Sequence, residues 1–305
     1  MTSFLPDLWI IISLTAAVFQ TVRFMLQKHL ATATLTAAGA TFSRFFYSLP
    51  FIVSLLVAYL VTARAPLPEV GVSFWGFGPL GACSQIIATV CAVMLFKQRN
   101  FAVGMTFTKT EVIQTVLVGW ILLGEGVSAI GFVAIAIGIV GLLLLSAVPN
   151  ASGFKLRDLG NRASALGITS GVLFAFSAVS YRGATLAVVA DDPFLRAGVT
   201  LAVVVAMQTA IMLVWLRLRE PGQIGAVWRA RKVAVWIGLT SMGGSLCWFI
   251  AFALQNAAYV KAVGQVEIIF SIAASVMFFR EKISAREWAG MAILVVSILA
   301  LVLTV

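Results

Sequence analysis

Residues 100–131, "NFAVGMTFTKTEVIQTVLVGWILLGEGVSAIG", and residues 256–287, "NAAYVKAVGQVEIIFSIAASVMFFREKISARE", decide how this chain is read. One shift of 156 residues lays Asn100 on Asn256, Glu111 on Glu267, Glu125 on Glu281 and Ser128 on Ser284. Shared Ile or Leu would carry little information in apolar sequence. Four polar identities at a single offset are hard to reach by chance, so the stretch reads as the end of a unit that occurs twice.

The surrounding composition says what kind of unit this is. The 305 residues are 61% apolar and only 10% charged, with mean hydropathy +1.06. A soluble domain carries about 25% charged residues, so this chain could not cover itself in water and reads as an integral membrane protein. Runs of about 20 apolar residues span a bilayer. Ten such runs are expected, at roughly 8–27, 37–61, 74–96, 101–123, 127–147, 163–182, 197–216, 233–255, 259–279 and 286–304. The first reads as a retained span, since no basic n-region and cleavage site precede it.

The net charge of +10 is scattered in short clusters between these runs, which argues against nucleic acid as a partner. Loops after the odd-numbered spans hold Lys28; Lys97 and Arg99; Lys155, Arg157 and Arg162; Arg217, Arg219, Arg229, Arg231 and Lys232; and Arg280, Lys282 and Arg286. The opposite side holds only Arg64, Arg182, Arg196 and Lys261. By the positive-inside rule the odd loops are cytoplasmic and both termini lie outside. Trp9, Trp75, Trp228 and Trp236 fall near span ends, where interfacial aromatics belong.

The repeat then implies two five-span units, residues 1–148 and 149–305. Five is odd, so the units lie in the membrane with opposite orientation. Inverted repeats enclose substrate sites near the bilayer midplane in alternating-access transporters, often beside discontinuous helices. Candidate helix breaks occur at matching places: "GFGPLGACS" in span 3, with Gly78, Pro79 and Gly81, and "SMGGSLCW" in span 8, with Gly243 and Gly244. Close helix packing is the competing reading of these glycines, and the better one for Gly167 and Gly171.

Within span 4, Lys109 and Glu111 are two charges where each is costly. They lie about 200° apart on a helix and cannot pair well with each other. Glu111 shares a face with Thr108, Gln114 and Thr115, whereas Lys109 shares one with Met105 and Thr106. The second unit keeps the carboxylate, as Glu267, but has Gln265 in place of the lysine. A symmetric carboxylate fits either a structural hydrogen-bonding role or a proton carrier. The asymmetric Lys109, with Gln265 opposite, fits a clamp on a solute carboxylate, or else a lysine paired with an acid elsewhere. Gln20, Gln85, Ser177, Tyr181 and Trp248 are further polar or aromatic candidates for a substrate cavity. Arg23 and Arg44, nearer span ends, are expected to snorkel, and Glu125 and Glu281 to cap helices or anchor at the interface.

A Glu early in one span, "LLGE" fourteen residues on and a Gly- and Ile-rich final span resemble the EamA repeat of the drug/metabolite transporter superfamily. Two copies of that repeat would cover nearly the whole chain. The family commonly has Pro after the first Glu; Val112 and Ile268 stand there instead, so no proline kink is expected. Among members, the chain is most similar to aromatic amino acid exporters of the YddG type. The resemblance implies export of amino acids across a bacterial inner membrane; no cofactor is expected, and the sequence is compatible with a monomer without fixing the oligomeric state.

Multidrug efflux and carriage of phosphorylated or nucleotide sugars are alternatives within that fold. The sugars would call for several cavity cations, of which only Lys109 is deep in sequence. A structural membrane subunit is the alternative outside transport. Enzymatic readings find little footing: there is no GxxxxGK[ST], no GxSxG and a single histidine, His29. Cys83, Cys91 and Cys247 lack partners at metal-ligand spacing and read as reduced packing residues.

Overall fold

The computed structural model describes residues 5–98, 108, 111–146, 162–279 and 285–302. Among them the chain is a succession of helices: α1 Leu5–Ala33, α2 Ala37–Ala63, α3 Phe74–Gln98, α4 Glu111–Leu123, α5 Ala129–Ser146 and α6 Arg162–Leu186. There follow α7 Pro193–Arg219, α8 Gln223–Arg229, α9 Arg231–Leu254, α10 Ala257–Val263, a 3₁₀ turn Gly264–Val266, α11 Glu267–Phe279 and α12 Ala285–Val302. The one non-helical pairing described is an isolated bridge between Val70 and Val188. Helices are what an apolar solvent demands, since each satisfies its own backbone polar groups.

Among the described residues, six stretches are long and apolar enough to cross a membrane: Leu8–Ala33, Ala37–Ala63, Phe74–Lys97, Ala165–Leu186, Pro193–Arg219 and Arg231–Leu254. They correspond to expected spans 1–3 and 6–8. Shorter apolar helices, Glu111–Leu123, Ala129–Gly141 and Trp288–Ser297, fall in expected spans 4, 5 and 10. Expected span 9 is not one helix: the 3₁₀ turn at Gly264–Val266 divides it into α10 and α11. A close approach coincides with the division. A Cβ on Gly264 would lie 2.4 Å from the Trp248 ring, so the backbone passes directly against that indole.

Polar caps set the starts. Thr36 accepts from the Gly39 N–H at 3.0 Å ahead of α2. Asp192 caps α7, with Pro193 at its first position. Two residues of the repeat prove to be caps as well. Asn256 accepts from the Ala258 N–H at 2.8 Å to open α10, and Ser128 accepts from the Gly131 N–H at 3.0 Å to open α5.

The expected helix breaks in α3 and α9 are corrected: both helices run through. Pro79 lies in the second turn of α3, where the missing N–H frees only the Trp75 carbonyl beside the helix start. The glycines are approach points instead. A Cβ on Gly81 would meet the Tyr181 ring of α6 at 2.6 Å; on Gly243 and Gly244 it would meet Phe19 of α1 at 3.1 and 3.0 Å. Gly78 has only ordinary contacts, with Met207 and Phe74 at 3.4 Å. Accordingly α3 packs on α6 and α1 on α9, while α2 lies against α7 and α9, α4 against α6, and α5 against α12.

The exterior is apolar: Val61, Trp120, Ile121 and Leu218 are among the most exposed side chains. The interior holds Arg23, Arg44, Gln27, Glu111, Gln208 and Glu267, each at most 4% exposed. An apolar outside around a partly polar inside is the arrangement of an all-α membrane protein.

At one end of the bundle a guanidinium ties several segments. Arg182 of α6 pairs with Glu125 at 2.7 Å and donates to the Phe252 and Gln255 carbonyls at 2.5 and 2.8 Å. Nearby, Asn256 donates to the Gly126 carbonyl and the Ser128 N–H donates to the Tyr259 hydroxyl. Glu125 thus serves as an ion-pair partner, and Arg182 belongs to a helix end.

Gly238 gives the sharpest test of this packing. A Cβ there would lie 2.6 Å from the Tyr47 carbonyl carbon and 2.9 Å from the Ser48 nitrogen, both backbone. Gly238→Ala should lower stability by about 1–3 kcal/mol, as overpacking does. Gly76→Ala, with nothing within 4 Å of the new carbon, should be close to neutral. Thermal unfolding of the detergent-solubilised variants checks the contrast.

Candidate functional site

A cavity opens among α1, α2, α3, α4, α6, α9 and α10. Its free volume is about 30 Å³, room for one or two waters, so the side chains nearly close it in this state. The polar and charged side chains on its wall are Gln20, Arg23, Arg44, Gln85, Thr108, Glu111, Ser177, Ser245 and Lys261. Phe24, Phe174, Tyr181, Trp248, Phe249 and Phe252 supply aromatic faces.

Helical spacing explains how these residues reach one place. Gln20, Arg23 and Gln27 form a stripe along α1, Gln85 and Thr89 lie one turn apart on α3, and Ser177 and Tyr181 do so on α6. Ser241, Ser245 and Trp248 share a face of α9. The stretch singled out as a break in span 8 therefore serves the cavity through its side chains rather than through unwound backbone.

Three networks hold the wall. In the first, Gln20 donates to Glu267 Oε2 at 2.8 Å and accepts from the Trp248 indole N–H at 3.0 Å. In the second, Gln85 Oε1 accepts from the Tyr181 hydroxyl at 3.0 Å and from Gln208 Nε2 at 2.9 Å; the Tyr181 and Phe249 rings lie 4.5 Å apart. The third is cationic. Arg44 donates through Nε to Ser241 at 2.9 Å and through its two terminal nitrogens to Thr89 at 3.1 Å and Ser245 at 3.3 Å. Arg23 donates to Gln27 Oε1 at 3.2 Å and stacks 4.0 Å from the Phe24 centroid. Lys261 Nζ pairs with Glu111 Oε1 at 3.5 Å and lies 4.9 Å from the Trp248 ring centroid.

Of the residues singled out in sequence, Gln20, Gln85, Glu111, Ser177, Tyr181 and Trp248 line this cavity, and Glu267 adjoins it through Gln20. Gln265 does not line it. It is 1% exposed, its Oε1 has no hydrogen-bond partner among the described residues, and it sits beside Gly138 of α5. Lys109 lies outside the described residues. Arg23 and Arg44 do not snorkel: they are 2% and 3% exposed and face inward. The reason is helix length, since α1 continues to Ala33 and leaves Arg23 far from an end. Lys261, assigned in sequence to a loop, is a buried residue of α10. The stripe of Thr41, Arg44, Tyr47 and Ser48 on one face of α2 was the signal that Arg44 points inward.

No group of three His, Cys, Asp or Glu residues among the described ones could hold a metal ion. The wall offers fixed cations, hydroxyls and aromatic faces, which suit binding and orienting a small polar solute.

No family model matches the chain, and no curated protein matches it. It is similar to 28 solved chains. One of them, a protein of known crystal structure, shares 14% identity at TM-score 0.70, over 96% of this chain and 94% of that one. At that identity the likeness concerns the fold alone.

Gln20 bridges a carboxylate and an indole, so Gln20→Leu should cost about 1–3 kcal/mol by leaving buried polar groups short of partners. Trp248→Phe added to it should cost less than the two single losses combined, because the two side chains share a hydrogen bond. A double-mutant cycle on unfolding midpoints measures this coupling.

Proposed function

We propose that this chain is a secondary transporter that moves small carboxylate-bearing solutes, amino acids among them, across a bacterial inner membrane by alternating access. The observation that carries this reading is the buried cavity, walled by helices from both halves of the chain and furnished with polar, cationic and aromatic groups. Burying such groups within an apolar bundle is costly unless they serve a passage or a site.

The architecture proposed is ten spans in two inverted units, residues 1–148 and 149–305. The packing supports it. Under the repeat, α1 answers to α6, α2 to α7, α3 to α9, α4 to α11 and α5 to α12. Exchanging partners turns the α1–α9 contact into the α3–α6 contact, and returns α2–α7 and α5–α12 to themselves. A twofold relation requires pairings of that kind. The resemblance to the EamA repeat agrees with this arrangement and supplies the direction, export, while the basic residues place the odd loops in the cytoplasm.

Glu267, bonded to Gln20 at the start of α11, has the connections of a structural carboxylate, and Glu111 faces the cavity beside Lys261. A second reading, carriage of phosphorylated sugars, gains from the same wall: Arg23, Arg44 and Lys261 supply the several cavity cations such cargo needs. Lipophilic-cation efflux loses by that count.

Purified protein in liposomes should move labelled aromatic or other neutral amino acids down their gradients without ATP. Flux of none of them, from protein shown to be folded, sinks the amino acid assignment; flux of glucose 6-phosphate instead selects the second reading.

A further inference from the structure

Of the three cations among the described lining residues, two are held by neutral groups. Arg44 has the hydroxyls of Thr89, Ser241 and Ser245, and Arg23 has the Gln27 amide and the Phe24 face. Among the described residues neither guanidinium has a carboxylate within ion-pair distance. Glu267 attracts Arg23 from further away, and Arg44 repels it. Removing two like charges from water with only one carboxylate acting on them from a distance is unfavourable, and a visiting anion would relieve it. The guanidinium fork also matches a carboxylate in shape.

The rest of the wall disfavours a positive charge. Glu111, the one carboxylate among the described lining residues, is engaged by Lys261, and the nearby Trp248 face is met by the same ammonium. The cavity's aromatic faces, with Trp248 and Phe252 stacked at 6.1 Å, suit a flat apolar body.

We infer that this cavity, once opened as alternating access requires, selects organic anions, a carboxylate held by Arg23 and Arg44 with a flat apolar body against the aromatic wall, over zwitterions of the same shape. This rests on the transporter reading of the same cavity and narrows its cargo by charge.

A charge series on one scaffold tests it: indole-3-propionate is an anion, tryptophan a zwitterion and tryptamine a cation. Equilibrium dialysis against the detergent-solubilised protein should show indole-3-propionate bound at least about tenfold more tightly than tryptophan, whose ammonium would be buried without a partner beside fixed cations. Tryptamine should bind most weakly. Arg44→Gln should abolish the preference, whereas Arg44→Lys, which keeps the charge but loses the fork, should retain part of it. If Arg44→Gln does not fold, the wild-type series decides alone.

Equal binding of tryptophan and indole-3-propionate overturns the inference, as does an undiminished preference in folded Arg23→Gln and Arg44→Gln proteins. Binding of glucose 6-phosphate without binding of indole-3-propionate overturns it too. Liposome flux separates this from the broader reading. Preferential binding of the anion without flux refutes transport and leaves the anion site standing. Tryptophan flux with no charge preference does the reverse.

Discussion

Holding a guanidinium inside an apolar helix bundle is the constraint on which the rest of this structure turns. Arg44 is 3% exposed, and a bare cation at that depth is strongly disfavoured. Thr89 of α3, together with Ser241 and Ser245 of α9, gives three of its nitrogens a hydroxyl each. Ser241 and Ser245 stand four residues apart, one helical turn, so both hydroxyls face the same way. Meeting all three partners at hydrogen-bond distance fixes α2, α3 and α9 relative to one another, and that relation shapes the cavity wall.

Close approach makes those distances reachable. Gly81, Gly243 and Gly244 let α3 and α9 settle against Tyr181 and Phe19, and Gly238 lets α9 touch the backbone of α2. In lipid, helices gain little hydrophobic drive toward each other, so tight contact and polar links must hold them. The Gln20–Glu267–Trp248 and Gln85–Tyr181–Gln208 networks do this between distant segments of the chain. The same glycines that admit the packing therefore set the dimensions of the polar interior.

Much of this was legible in the sequence, because hydropathy alone places apolar helices and polar interruptions inside them stand out. Gln20, Gln85, Ser177, Tyr181 and Trp248 reach the cavity for that reason. What was illegible depended on three-dimensional neighbours. A glycine that breaks a helix and a glycine that admits one look the same in one dimension, which is why α3 and α9 were expected to unwind. The interruption that does exist, at Gly264, lies against the indole of Trp248 sixteen residues earlier. Arg23, Arg44 and Lys261 were assigned to margins because span ends were drawn where charges begin, whereas α1 and α10 carry their charges inside. Stripes of polar residues at helical spacing marked Arg23 and Arg44 as inward; Lys261 had no such stripe.

The knot around Arg182 has a mechanical consequence. One side chain there grips a carboxylate from the segment ahead of α5 and two main-chain oxygens at the close of α9. Those segments cannot peel away one after another, since each hold shares the same planar head group and loosening one disturbs the others. Parting that extremity of the bundle is thus a single cooperative rupture, more like a catch being sprung than a seam coming undone.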